Sequence, residues 1–233
     1  MKDDIRDELC LLSDSKKAEV LRRFFKTDKG EYGYGDNFLG ITIPHIRALV
    51  KKHAKDTVID DIPDLLHNKY HEYRMAALLM LVYKYENGIS LEEKQKIFDI
   101  YIENMDYINN WDLVDLSAPK IVGEHLLGRD CSLLYEFIET PLLWRQRVAV
   151  VSTLTFIRKG NFSHTIAIAE KLISTKEDLI QKSIGWMLRE VGKRNKELLT
   201  TFLTKNRRNM PRTMLRYAIE KLSDEERRFF MEK

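Results

Sequence analysis

"LWRQRVAVVSTLTFIRKG", residues 143–160, decides the fold. Its centre is rich in valine, threonine and isoleucine, which by propensity alone suit a strand. Its length argues the other way: an uninterrupted segment of this size, opened by Arg145 and Arg147 and closed by Gly160, fits a buried helix. The rest of the chain agrees with the helical reading. In "SKKAEVLRRFFK" (15–26), "YRMAALLMLVYKY" (73–85), "SLEEKQKIFDIYIENM" (90–105) and "LIQKSIGWMLREVGK" (179–193), apolar residues return every three or four positions, and so fall on one helical face. Ser90 and Ser174, each followed three residues later by Glu93 and Glu177, read as helix starts. Gly88, Gly128 and Gly160 stand where helices should stop.

Composition sets the bounds. The 233 residues are 44% hydrophobic and 32% charged, ordinary for a globular chain with a real core. Five prolines and ten glycines are too few for a loop-rich β protein. The net charge is only +3, so a polyanion site must come from local clustering. The cluster after residue 190, Lys193, Arg194, Lys205, Arg207, Arg208, Arg212 and Arg216, reads either as a solvated face or as a phosphate-binding rim. Two cysteines, Cys10 and Cys131, give neither a disulfide framework nor a Cys-x-x-Cys pair. The charged start "MKDDIRDELC" lacks the apolar core of a secretory signal, and no apolar run is long enough to span a bilayer. The expectation is a soluble, cytoplasmic protein with no membrane contact.

Arg74, Trp111, Arg147 and Lys182 recur at steps of about 35 residues, the spacing of two-helix solenoid repeats, and "RTMLRYAIEKL" (212–222) follows in the same phase. The expected fold is therefore all-α, a right-handed α-solenoid of HEAT-like two-helix repeats forming one domain over residues 1–233. Equivalent helices would line a concave surface and bring Trp111, Asp115, Arg147, Lys182, Trp186 and Arg189 together. One stretch interrupts the helices. "KTDKGEYGYGDNFLGITIP" (26–44) interleaves four glycines with Tyr32, Tyr34 and Phe38, and reads as a loop or short hairpin. It either covers the end of the solenoid or contacts a ligand or nucleic acid through Lys29, Tyr32 and Tyr34. It lacks the Gly-Lys-Ser/Thr ending of a phosphate-binding loop.

Trp111 and Asp115 stand at i and i+4, one turn apart on a shared helix face. Asp112 points elsewhere, and with Asn109 and Asn110 it reads as belonging to the helix start. Trp186, Arg189 and Lys193 share a face on a second helix. Tryptophan, carboxylate and arginine together could receive a cationic ring on an anionic backbone. The plain alternative is that the tryptophans are core and the acids are structural ion pairs. His67 and His71 have a metal-like spacing but no evident third ligand, and read as solvated helix-end histidines. No serine or cysteine has the setting of a nucleophile.

The ordered segments "FLGITIPHIRAL", "EYRMAALLMLV", "NNWDLVDLSAPKIVG", "LWRQRVAVVSTLTFI", "QKSIGWMLREVGKR" and "MPRTMLRYAIEKL" resemble the AlkD family of DNA alkylation-repair glycosylases, built from HEAT-like repeats. The resemblance implies that Asp115, four residues after Trp111, is the catalytic carboxylate. It implies that Trp186 and Arg189 match the second cleft tryptophan and its arginine, and that Arg147 contacts DNA near the lesion. Lys182 and Lys193 join them as expected DNA-binding residues. Phe25 stands where the best-known members carry a tyrosine, and the glycine-tyrosine stretch follows it as an insertion.

The activity so implied is monofunctional hydrolysis of the N-glycosidic bond of N7- or N3-alkylpurines in duplex DNA. It needs no metal and no cofactor, and takes place without the base being extruded into a tight pocket. No lysine is placed for a lyase reaction. A monomer, cytoplasmic and nucleoid-associated when on DNA, is expected. Two other readings stand beside it: a non-catalytic binder of branched or distorted DNA that uses the glycine-tyrosine loop, and a helical scaffold for protein partners.

Overall fold

A computed structural model describes residues 2–88 and 90–232 of the chain. It is all-α, with no strand among the described residues. The chain divides into two compact units, Met1–Ile121 and Val122–Lys233.

The first unit contains α1 (Lys2–Leu11), α2 (Ser15–Phe24), α3 (Ile43–His53), α4 (Ile62–Leu66), α5 (His71–Asn87), α6 (Leu91–Glu103) and α7 (Trp111–Ser117). At its centre α5 is buried from His71 through Val82 and packs against α3, α4, α6 and α7. Its 73–85 stretch is apolar nearly all round, as a helix enclosed by neighbours requires. Ser90 caps α6 by accepting the N–H of Glu93 at 3.1 Å, as its sequence position predicts.

The second unit contains α8 (Glu124–Leu126), α9 (Ser132–Glu139), α10 (Leu143–Arg158), α11 (Ser163–Lys171), α12 (Asp178–Gly192), α13 (Lys196–Asn206), α14 (Arg212–Ala218) and α15 (Asp224–Met231). Every residue of α10 from Arg147 to Ile157 is buried, against α9, α11 and α12. Burial of each large aliphatic side chain contributes about 1.5–3 kcal/mol, which outweighs a strand propensity spanning only about 1 kcal/mol. That is why a valine-rich stretch is a helix here. The second helix start lies later than its sequence suggests: α12 opens at Asp178 with Glu177 at its cap, so Ser174 is not the capping residue.

The recurring positions fall on corresponding helices. Arg74 and Trp111 lie on α5 and α7, which pack together. Arg147 and Lys182 lie on α10 and α12, which also pack together, and α12 in turn packs on α14, where "RTMLRYA" resides. Neighbour-on-neighbour packing of the second helices is how solenoid-like repeats bury their apolar faces.

The glycine-tyrosine stretch is a loop of successive turns rather than a hairpin, and it ends earlier than expected, since α3 begins at Ile43. Its one bridge pairs Asn37 with Tyr70. Glycines suit it because the backbone folds back onto α2. At Gly40, φ is +85° and a Cβ would lie 2.1 Å from the carbonyl oxygen of Asp14, so only glycine fits.

Candidate functional site

Three segments of the first unit meet around α7. Asn110 caps the helix: its side-chain oxygen accepts the N–H of Trp111 at 2.8 Å. Asp112 does not take that role alone. One of its carboxylate oxygens accepts the N–H of Leu113 at 2.8 Å, in the first turn of α7, and the other lies 2.9 Å from His71 Nε2. The other ring nitrogen of His71, Nδ1, lies 2.9 Å from Asp36 in the glycine-tyrosine loop. Asp36 is also paired with Arg74 and reached by Asn110 Nδ2 at 3.4 Å. Asp36, His71, Arg74, Asn110 and Asp112 are all buried.

His71 therefore differs from its sequence reading as a solvated helix-end histidine. His67, four residues earlier, is exposed and hydrogen-bonded to Asn104 at 2.5 Å. The two do not work together, and no cluster able to hold a metal ion occurs among the described residues. Burial opposes charge on the His71 ring, but Asp112 and then Asp36 outweigh it and raise the ring to about 9. Burial likewise opposes ionisation of Asp36, yet His71 and Arg74 hold its carboxyl below the usual range.

Over this polar layer lies an aromatic one. Phe38 stacks on His71 with centroids 4.7 Å apart, and Phe25 stacks on Phe38 at 5.1 Å. Phe25 also stacks on Trp111 at 5.4 Å, while Phe24, 61% exposed, meets Trp111 edge-on at 6.1 Å. Trp111 and Asp115 are both half-buried, one turn apart on α7. The charge of Asp115 reaches the buried Tyr101 hydroxyl: burial raises that group first, and Asp115 adds to the rise.

The loop is fastened independently. Glu72, 1% exposed, accepts the backbone N–H groups of Leu39, Gly40 and Ile41 at 2.8, 2.8 and 3.2 Å. The N–H of His71 donates to the Asn37 carbonyl at 2.7 Å. This leaves Lys29 exposed, Tyr32 half-buried and Tyr34 64% exposed on the loop's outer turns.

The remaining nominated residues lie in the second unit. On α12, Trp186 and Arg189 are half-buried and Lys193 at its end is exposed. Arg189 is paired with Glu220, Lys193 with Glu190 at 2.5 Å, and Lys182 with Asp178 at 2.7 Å. Burial opposes ionisation of Glu190, but Lys193, Arg194 and Arg189 hold it below its ordinary value. Arg147 departs from its expected place on an open surface: it is 5% exposed and donates to the Leu179 carbonyl at the start of α12, 2.6 Å away. Of the basic cluster, Arg207 lies over the Phe229 ring, and Lys205 pairs with Glu170 at 2.9 Å. Arg208 and Arg216 are exposed.

The sequence reading missed Asp36, Glu72 and the inward role of His71 and Arg74. The available signal was acid, base and histidine at the start of a helix otherwise apolar all round. Their partners, 31 to 41 residues away, carried no mark in the sequence.

Helices that pack on one another within each unit, with no strand among the described residues and an aromatic and acidic face on α7, define the class as an all-α, solenoid-like protein. The family model for the DNA alkylation repair enzyme matches residues 5–222, and the chain belongs to that family. Its function is DNA alkylation repair. A solved structure described as "Predicted DNA alkylation repair enzyme from Enterococcus faecalis" superposes with a TM-score of 0.72, covering 91% of this chain and 97% of that one. At 21% identity, that likeness speaks to the fold. No curated protein matches the sequence.

Proposed function

We propose that this protein is a monofunctional DNA glycosylase that hydrolyses the N-glycosidic bond of cationic N7- or N3-alkylpurines in duplex DNA. The observation that carries the reading is α7, where Trp111 and Asp115 stand one turn apart, both partly open, with Phe24 and Phe25 against the tryptophan. Alkylation makes the purine cationic and a better leaving group, so the bond needs little further activation. As it breaks, positive charge develops on the deoxyribose; Asp115 stabilises that charge and orients the attacking water. Trp111 offers its ring face to the same developing cation.

Lys182, Trp186, Arg189 and Lys193 are assigned to the DNA backbone. The partly exposed ion pairs of Lys182, Arg189 and Lys193 contribute about 0–1 kcal/mol each, so a phosphate can take the place of Asp178, Glu220 or Glu190. Arg147, enclosed beside Leu179, acts in this reading by holding the start of α12. The reaction proceeds in the cytoplasm on a monomer.

Purified protein incubated with duplex DNA containing N7-methylguanine is expected to release the free base. Asp115→Asn is expected to lose that release by more than about 100-fold while retaining DNA affinity. Unchanged excision by the variant overturns the assignment.

The exposed Tyr34 and Lys29, on a loop clamped by Glu72, favour a second reading as a binder of branched or distorted DNA. In that case no base is released, and shortening residues 29–35 abolishes junction binding.

A further inference from the structure

Asp36, His71, Arg74, Asn110 and Asp112 form a buried polar chain that the excision chemistry above leaves unused. Buried charges are costly unless paired, and here the pairing runs through one ring. His71 Nδ1 lies 2.9 Å from Asp36 and Nε2 lies 2.9 Å from Asp112. A neutral imidazole has a single N–H and would turn a lone pair toward one of the two carboxylates, whereas the imidazolium donates to both. Two carboxylates, one imidazolium and the Arg74 guanidinium then balance.

The chain leads to α7 by two routes. Asp112 is the second residue of that helix, directly after Trp111 and three before Asp115. The ring of His71 also touches Phe25 at 5.2 Å, and Phe25 stacks on Trp111 at 5.4 Å. Removing the ring would loosen the first turn of α7 through both its hydrogen bond and its stacked neighbour.

We propose that His71 is a positioning residue for base excision: held as an imidazolium between Asp36 and Asp112, it fixes Trp111 and Asp115 without touching DNA. The inference rests on the glycosylase reading. The charged groups around the ring are Asp36 from the loop, Asp112 from α7, and Arg74 and Glu72 from α5 itself, the last turned to the loop amides. Among them Asp112 does most to keep the ring protonated, and at about 9 the ring stays charged at neutral pH.

The test measures single-turnover release of N7-methylguanine from a duplex, with uncatalysed loss subtracted, from about pH 6.5 to about pH 8.5. Native protein sets the reference rate at each pH, since the N1 proton of N7-methylguanine itself titrates in this interval, and each variant is read as its ratio to native. Asp112→Asn removes the charge and can offer its single amide oxygen to only one of the two N–H donors Asp112 serves, Leu113 N–H and His71 Nε2, so its rate relative to native is expected to be lower and to fall further as pH rises, with DNA affinity within about threefold of native. A rate unchanged, or lowered evenly at every pH, overturns the proposal, because a merely structural role acts evenly. His71→Gln keeps a single amide group and is expected to slow release by about 10- to 100-fold; release within about twofold of native overturns it. If His71→Gln does not fold, nitrogen-15 NMR of the native ring near pH 8 decides beside Asp112→Asn. Both nitrogens protonated supports the proposal, and a neutral tautomer overturns it. A native protein that releases no base overturns the glycosylase reading and the positioning role together; native release with both variants native-like overturns the positioning role alone.

Discussion

Phe25 lies flat against Trp111, ring centroids 5.4 Å apart and planes 28° from parallel. Phe25 is buried while Trp111 stays half-open, so the phenylalanine backs the tryptophan from the core side. Phe25→Ala would remove contacts to Phe24, Phe38, His71 and Trp111 together. The expected loss is about 3 kcal/mol of stability, read from urea unfolding, with Phe25→Leu costing less than half as much. Equal unfolding midpoints for the alanine variant and native protein would refute the backing role.

Glu72 meets the loop through three backbone N–H groups, from Leu39, Gly40 and Ile41. Glu72→Gln replaces one accepting oxygen with an amide nitrogen that faces a donor. A loss of about 2 kcal/mol is expected, together with faster hydrogen exchange at the amides of 39–41. Exchange rates unchanged at those three positions would show that the clamp is not what holds the loop.

The pH dependence of stability follows from His71. Its folded value of about 9 lies above the ordinary 6.5, because Asp112 and Asp36 overcome the opposing effect of burial. A raised value means stabilisation that is complete below about pH 6.5 and is lost as pH climbs through about 9, with an upper bound of about 3 kcal/mol. The difference in unfolding free energy between native protein and His71→Gln should shrink across that window. A difference constant with pH would mean the ring is not charged in the fold.

Gly185 sits inside α12, where alanine would ordinarily be worth up to about 1 kcal/mol more than glycine. Here a Cβ would lie 2.5 Å from the Met214 carbonyl oxygen and 2.5 Å from the Tyr217 Cβ. The steric conflict with α14 wins, and Gly185→Ala is expected to destabilise by about 2 kcal/mol. A rise in melting temperature would contradict this close approach.

Much of this protein was legible in its sequence. The three-to-four-residue return of apolar positions made the helices, and the recurrence of Arg74, Trp111, Arg147 and Lys182 picked out α5 with α7 in one unit and α10 with α12 in the other, pairs that pack together. These are local or regularly repeated properties, and a chain displays them without being folded. Trp111 and Asp115 could be put on one face for the same reason, since four residues make about one turn.

Tertiary structure alone decided which polar groups are enclosed and with whom. Asp36 in a glycine-rich loop looks like a solvated acid, and His71 at a helix start looks like a solvated base. Brought together across 35 residues, they become a buried ion pair whose second arm reaches Asp112. The same holds for Arg147, which reads as a cation on an open helix and is enclosed against the Leu179 carbonyl. Periodicity records which face of a helix is apolar, but a single polar residue within that face carries no sign of its partner. Its partner, its protonation and its burial arise only when distant segments pack.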